Sequence, residues 1–454
     1  MKRRQFITRA SATVVAAATP FAALTQTRPL LGTGLRGTRN ALDFGIAPDV
    51  ATDQSALFQA MVDTAATEGT AIFVPGGMYV LSGVLLPSGI VIEGVPGATR
   101  LVHTGDGPLL RAAGANGITI RGLALDGVLR PADERQGLID LRDVAGFSIE
   151  DCALDRAGAN AVYLQGSTGE VRGTTISSAG QFAVFAMDCA GVTVTGNRID
   201  GCLNGGVIVH RSEPGHDGAI ITENHIANTG ASKGGTGQWG NAINLFRADD
   251  AIVANNVISG SAFSAIRGNT VRRMQVIGNV CRDNGETAIY AEFAFGDAVI
   301  ANNIIDGAAN GISAPNLDHG GHGATISGNI IRNLRTAGPY VPEFPGFGTG
   351  IAVEADAVVT GNLIDGAPLY GINAGWGPYL REVVVSANTV RNARIGIGVS
   401  DVQGAGRALI RGNLIDAHEA GIQPHAWGKA TGPDLLADPQ AAPDHVLVSG
   451  NVPT

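Results

Sequence analysis

Between residues 210 and 292 the sequence gathers side chains able to move protons and steady charge: His210, Arg211, Asn244, Arg247, Arg267, Tyr290 and Glu292. A guanidinium such as Arg267 can neutralise a carboxylate and so stabilise a carbanion formed beside it. The phenol, imidazole and carboxyl of Tyr290, His210 and Glu292 can each serve as the acid or the base that such chemistry also needs. A hydrolytic route needs two carboxylates instead. Glu292 and Glu354 fall two repeats apart, about 9.6 Å along a stack of strands, at the upper edge of inverting geometry.

These residues are useful only if the chain stacks them, and its repeats say how. The segment Gly196-Asn197-Arg198-Ile199-Asp200 returns with variations, its Asn falling at 197, 224, 256, 279, 303, 329, 362, 388, 413 and 451. Weaker copies lie at Leu123, Cys152 and Thr174. The shortest interval is 23 residues, one coil of three short strands and three turns, and longer intervals are that coil with loops inserted. Alternation in Val192-Thr193-Val194-Thr195 marks a strand running into the Asn turn. We read a single-stranded right-handed parallel β-helix, all-β, of about a dozen coils. The Asn is assigned a structural role, tolerating left-handed backbone angles at the bend and stacking its amide on the next.

A second signature, Gly or Ala followed by Ile or Val, recurs at Ala183-Val184, Gly206-Val207, Ala242-Ile243, Ala265-Ile266 and Ala288-Ile289, and on to Gly421-Ile422. The Ile or Val points inward, and the residues one and three later point outward. The first outward column contains Tyr163, Phe185, Ile208, Asn244, Arg267, Tyr290, Ser313, Ala352 and Asn373. The second contains Gln165, Met187, His210, Phe246, Asn269, Glu292, Pro315, Glu354 and Gly375. Inserted loops rise beside this strand, and all three tryptophans, Trp239, Trp376 and Trp427, lie in them with Tyr340, Phe344, Phe347 and Tyr379.

The N-terminus reads Met1-Lys2-Arg3-Arg4-Gln5-Phe6-Ile7, followed by an Ala-rich stretch too short and too weakly apolar to span a membrane. Arg3-Arg4 with Phe6-Ile7 before that stretch resembles a bacterial twin-arginine signal, residues 1–27, with processing between Ala18 and Thr27; an ordinary Sec signal is the alternative. The expected destination is the periplasm or the exterior, reached through the twin-arginine export machinery. The formal charge is −9, and losing Lys2, Arg3, Arg4 and Arg9 with the signal leaves about −13. A mature chain so acidic has no general attraction to nucleic acid or anionic lipid. Cys152, Cys189, Cys202 and Cys281 form no zinc pattern; Cys281 takes an Ile position, and a Cys189–Cys202 disulfide is open after export. His216-Asp217-Gly218 and His319-Gly320-Gly321-His322 sit in glycine-rich turns. No metal site is assigned to them, and no cofactor is evident.

Residues 28–110 read as a cap and first coils, with the repeats over 111–454. Thr52 or Asp53 can cap a short helix with apolar positions Ala56, Leu57, Ala60, Met61 and Ala65, closing the open end of the solenoid. Asp43-Phe44-Gly45, Thr52 to Ala60, Ile72-Phe73-Val74-Pro75-Gly76-Gly77-Met78-Tyr79 and Val91-Ile92-Glu93-Gly94 resemble the opening of pectate-lyase-like β-helix proteins. With the twin-arginine signal, the whole resembles a bacterial family known only for that signal and these repeats. The resemblance implies the fold, and implies that the Gly/Ala-Ile/Val strand lines a polysaccharide groove. Arg267, Tyr290, Glu292 and His210 then become the catalytic candidates. Asn244, Phe246, Arg247, Trp239, Trp376 and Glu354 become substrate-binding candidates, the rings stacking on sugar faces. The polygalacturonase Asp-Asp with Gly-His-Gly and the mannuronan epimerase Asp-Pro-His-Asp are absent. Two functions therefore stay open: a lyase- or hydrolase-like enzyme on a polysaccharide, or a non-catalytic glycan-binding or structural β-helix of the envelope.

Overall fold

The computed structural model describes residues 37–235, 237–316 and 319–453. Residues 1–36, with Arg3, Arg4 and the whole signal, lie outside the described residues. From Arg39 onward the chain is a parallel β-solenoid of about 14 turns with one α-helix, Ser55–Glu68. This agrees with the all-β right-handed parallel β-helix of about a dozen coils expected from the repeats.

Three ladders of parallel strands run along the axis. The first stacks Thr193–Thr195, Ile220–Thr222, Ile252–Ala254 and Gln275–Ile277. The second follows the Asn turn and stacks Arg198–Asp200, His225–Ala227, Val257–Ser259, Val280–Arg282 and Ile304–Asp306. The third carries the Gly/Ala-Ile/Val signature: Phe182–Met187, Gly205–His216, Asn241–Asp249, Ile266–Asn269, Thr287–Glu292 and Asn310–Ala314. Near the C-terminus the second and third ladders become continuous, because Leu363–Ala374, Thr389–Ser400 and Leu414–Ala426 pass through the corner without a break.

The interior is one continuous core of stacked aliphatic side chains. Ile243, Ile266, Ile289, Ile312 and Ile351 lie in register on the third ladder, all fully buried. Cys281 stacks between Ile258 and Ile305, as its repeat position requires. All four cysteines are free and buried, so Cys189 and Cys202 form no disulfide. Burial pushes the Cys189, Cys202 and Cys281 thiols up to about 12.

The Asn ladder is built as expected but its backbone is not. Each buried Asn accepts at Oδ1 from the backbone N and the Nδ2 of the Asn one coil earlier; for Asn279 onto Asn303 the distances are 2.9 and 3.0 Å. Each Nδ2 also donates to a strand carbonyl, as Asn303 does to Val276 at 2.9 Å. The ladder runs on to Thr174, whose hydroxyl takes the same place for Cys152. The left-handed residue, however, is the one before the Asn: Gly196, Glu223, Asn255, Asn302 and Ala387 have φ between 54° and 65°. The Asn stays outside that region because its side chain must point along the stack.

The helix closes the N-terminal end by burying Phe58, Met61, Val62 and Ala65. Ala56, Leu57 and Ala60, expected on that face, are exposed, Leu57 at 44%; only Met61 and Ala65 of the expected positions are buried. Asp53 Oδ1 accepts from Ser55 N at 2.7 Å, the contact expected of an N-terminal acid, although Gln54 holds the cap position and turns its amide to Ala47.

Candidate functional site

The register places both side-chain columns as the repeats require. Ile208, Asn244, Arg267, Tyr290 and Ser313 are successive partners, and so are Met187, His210, Phe246, Asn269 and Glu292. They do not form an open face. Tyr163, Ile208, Asn244, Arg267 and Asn373 are all buried, because inserted loops and neighbouring long side chains cover them. Among the cavities along the ladder, two are lined by most of the candidate residues and follow one another along the axis.

The first cavity, about 570 Å³, brings together His210, Trp239, Asn244, Phe246 and Arg267, with Phe185, Arg135 and Arg211. The imidazole of His210 sits between the rings of Phe185 and Phe246, 5.4 Å from each, and its Nε2 is 2.8 Å from Asn244 Oδ1. Burial lowers its pKa to about 4, so at neutral pH the ring is uncharged and Nε2–H donates to the amide. That contact also fixes which way Asn244 points.

The second cavity, about 300 Å³, is lined by Tyr290, Glu354, Tyr370, Asn373, Trp376 and the loop residues Phe344 and Pro345, among others. Trp376 packs against Phe344, His425 and Trp427 at centroid distances of 6.3, 5.7 and 6.0 Å. His425 repeats the arrangement of His210: buried, pushed down to about 4, with Nε2 2.8 Å from Asn373 Oδ1. Sequence reading missed this second pair, because the partners are 52 residues apart. The signal that could have found it is the Asn in the same column as Asn244.

Between the cavities lies a charged wall. Arg267 donates from Nε and Nη2 to the two oxygens of Glu292, each at 2.8 Å, and both side chains are buried. Burial pushes the Glu292 carboxyl up, and the guanidinium pulls it back down; a doubly bonded pair of this geometry is ionic. The Arg267 guanidinium also covers the Tyr290 ring at 5.4 Å. Burial and the charges of Glu292, Glu286 and Glu354 hold the Tyr290 phenol well above its ordinary value, so it is a neutral hydrogen-bond donor. Glu286, which sequence reading did not single out, accepts from Tyr340 Oη at 2.7 Å and Ser264 Oγ at 3.1 Å, tying the 335–349 loop across the wall.

The candidates therefore divide. His210, Trp239, Asn244, Phe246 and Arg267 share the first cavity; Tyr290, Glu354 and Trp376 share the second; Glu292 is spent on Arg267 and lines neither. Arg247 lies outside both, its guanidinium 4.7 Å over the Phe246 ring and 2.5 Å from Ser212 O. Of the glycine-turn histidines, His216 pairs with Asp250 at 2.6 Å and His322 Nδ1 meets Gly320 O at 2.7 Å.

A model described as the right handed beta helix region matches residues 137–230 and 214–381, together more than half of the chain. Residues 38–117 match a model described as rhamnogalacturonase A/epimerase, pectate lyase-like. No curated protein matches the sequence. Among solved structures, the A-module of the mannuronan C-5 epimerase AlgE6 from Azotobacter vinelandii is 15% identical over 92% of this chain and 99% of that one, with a TM-score of 0.44. The catalytic unit of an α-1,3-glucanase from Streptomyces thermodiastaticus is 14% identical over 92% and 69%, with 0.46. PfbA, a surface adhesin of Streptococcus pneumoniae, is 15% identical over 81% and 93%, with 0.47.

Proposed function

This chain belongs to the right-handed β-helix family, and from that premise we propose that it is an exported protein that binds a polysaccharide lying along its third ladder. One observation carries the proposal: two cavities adjoin on the same two side-chain columns, each combining aromatic rings with fixed amides and acids. Rings that cover the apolar faces of a sugar, beside groups that meet its hydroxyls, suit a glycan better than a wholly apolar or wholly charged ligand. The match of residues 38–117 to a model named for rhamnogalacturonase and epimerase supports the same ligand class. Delivery outside the cytoplasm rests on Arg3 and Arg4.

Turnover is the second reading, and it is favoured by a specific arrangement. Tyr290, a neutral phenol, and Glu354, a carboxyl, line the same cavity, so a proton donor and an acceptor can flank one bound sugar. His210 is less suited to that work, since its Nε2–H is committed to Asn244.

The test is incubation of the purified mature protein with a polysaccharide panel, reading affinity, unsaturated-product absorbance and reducing ends. Trp239→Ala and Trp376→Ala should each weaken binding of the best ligand at least tenfold, about 1.4 kcal/mol, measured at a temperature where circular dichroism shows each variant folded. A panel in which nothing binds the wild type overturns the proposal.

A further inference from the structure

The second ladder carries an apolar row on its outer face. Val280, Ile304, Ile330, Leu363, Thr389 and Leu414 are successive partners in register, with Ile304 37%, Ile330 38% and Leu414 43% exposed. The residue after each of them is a buried Ile, Val or Cys of the core, so five of these six strands are apolar on both faces. Parallel strands of that composition are the kind that proteins cover on both sides. The coil itself does not demand it, since Arg198 and His225 hold the same column two rungs and one rung before Val257.

Beside the apolar row, two residues further along each strand, runs a row of charges: Arg282, Asp306, Arg332, Asp365, Arg391 and Asp416. The first five are partners in register, and Asp416 follows the buried Ile415 as Arg391 follows its partner Val390. The signs alternate throughout. Arg332 reaches Asp306 within the chain at 2.9 Å, and Asp365 accepts from Asn392 Nδ2 at 2.7 Å. Arg282 and Arg391 are exposed and make no ion pair among the described residues.

An even row of alternating charges is complementary to its own reverse. A second copy turned end for end sets Arg282 against the other Asp416, Asp306 against the other Arg391, and Arg332 against the other Asp365. The same rotation lays Ile330 on Leu363, Ile304 on Thr389 and Val280 on Leu414. A two-fold axis that lies in the contact plane and crosses the solenoid between the Ile330 and Leu363 rungs does both at once. Copies running the same way, rung against rung, oppose like charges instead. We propose that this face of the second ladder joins two copies of the chain into an antiparallel two-fold dimer. With Val257 before the row and Val452 after it, the face covers eight rungs. At ~4.8 Å per rung that is ~38 Å, and a strip ~20 Å wide, the strand with the corner on each side, covers about 760 Å². A specific interface buries about 800 Å² on each partner, so the face is large enough. The third ladder takes no part, and the inference stands apart from the glycan reading.

The test is the mass of the purified mature protein by sedimentation equilibrium. The wild type should be a dimer at ~10 µM, with a dissociation constant at or below ~1 µM. Ile330→Asp should raise that constant at least tenfold, in a variant that circular dichroism shows to be folded. Arg282→Glu and Asp416→Arg should each raise it about threefold or more, because each brings like charges together, and the two changes in one chain should return it to about the wild-type value. Arg282 is exposed and Asp416 half-exposed, so these variants carry the test if Ile330→Asp unfolds. A wild type that stays monomeric at ~10 µM overturns the proposal. So does a dimer that a folded Ile330→Asp leaves intact, which puts the contact on another face. A double variant as weak as either single one overturns the antiparallel pairing, and the proposal with it.

Discussion

Arg267 and Glu292 meet across adjacent rungs through two hydrogen bonds of 2.8 Å, with both side chains all but sealed from solvent. An outward-facing arginine would be dispensable for folding, which is what its sequence position suggests. This one is not. Arg267→Ala would strand the Glu292 carboxylate in a buried site, at a cost of about 3–5 kcal/mol. The variant should melt well below the wild type, and Arg267→Met combined with Glu292→Leu should recover most of the loss. Equal melting temperatures for Arg267→Ala and wild type would show that the pair holds nothing together.

The Asn ladder separates two roles that adjacent residues divide between them. Asn303→Leu removes the acceptor for Asn279 N and Nδ2 and the donor to Val276 O, and should cost about 1–3 kcal/mol in denaturant unfolding. Asn302, one residue earlier, holds the left-handed angle at φ 56°. Asn302→Gly should therefore change stability by no more than about 0.5 kcal/mol, since glycine adopts that angle freely. A larger loss at 302 than at 303 would reverse the assignment.

Arg3 and Arg4 carry the expectation of export. Replacing both with lysine keeps the charge and removes the pairing that the twin-arginine machinery reads. The precursor should then accumulate in the cytoplasm, followed by fractionation and immunoblotting. Undiminished delivery of the Lys-Lys form would refute that route.

The solenoid was legible because a single signal repeats: one register, read at Asn197 and Asn224, applies to every later coil. Both columns followed from it, down to the pairing of Arg267 with Tyr290. Burial did not follow. Whether Asn244 or Tyr163 is open depends on loops that differ from coil to coil, and loop conformation has no repeat to read. Glu286 escaped notice for the same reason, since its partner Tyr340 lies on a loop 54 residues away. The division into two cavities is likewise set by where the 335–349 loop crosses the ladder, which spacing alone does not encode.

Stability should fall on acidification, and His210, His425 and Asp217 are three of the groups that shape the slope. His210 and His425 have folded pKa values of about 4, lowered by burial, against about 6.5 in an unfolded chain. Between those values the unfolded chain binds more protons, so their contribution is complete above pH 6.5 and is lost as pH falls towards 4, by up to roughly 3 kcal/mol each. Asp217 acts in the opposite sense. Burial raises its carboxyl to about 6, so the folded chain binds the extra proton as pH drops from 6 to about 4, and the penalty for its charge is present in full above pH 6. Two histidines outweigh one acid, and the wild-type melting temperature should drop between pH 6.5 and 4.5. Asp217→Asn removes the opposing contribution. It should stabilise the protein by about 1–3 kcal/mol at pH 8, where burial penalises the carboxylate more than Arg211 at 3.8 Å offsets, and steepen the loss towards pH 4.5. His210→Gln should flatten the same profile. Melting curves at pH 8, 6.5, 5.5 and 4.5 for the three proteins decide the matter: a wild type that gains stability towards pH 4.5, or an Asp217→Asn variant less stable than wild type at pH 8, contradicts the burial of these groups.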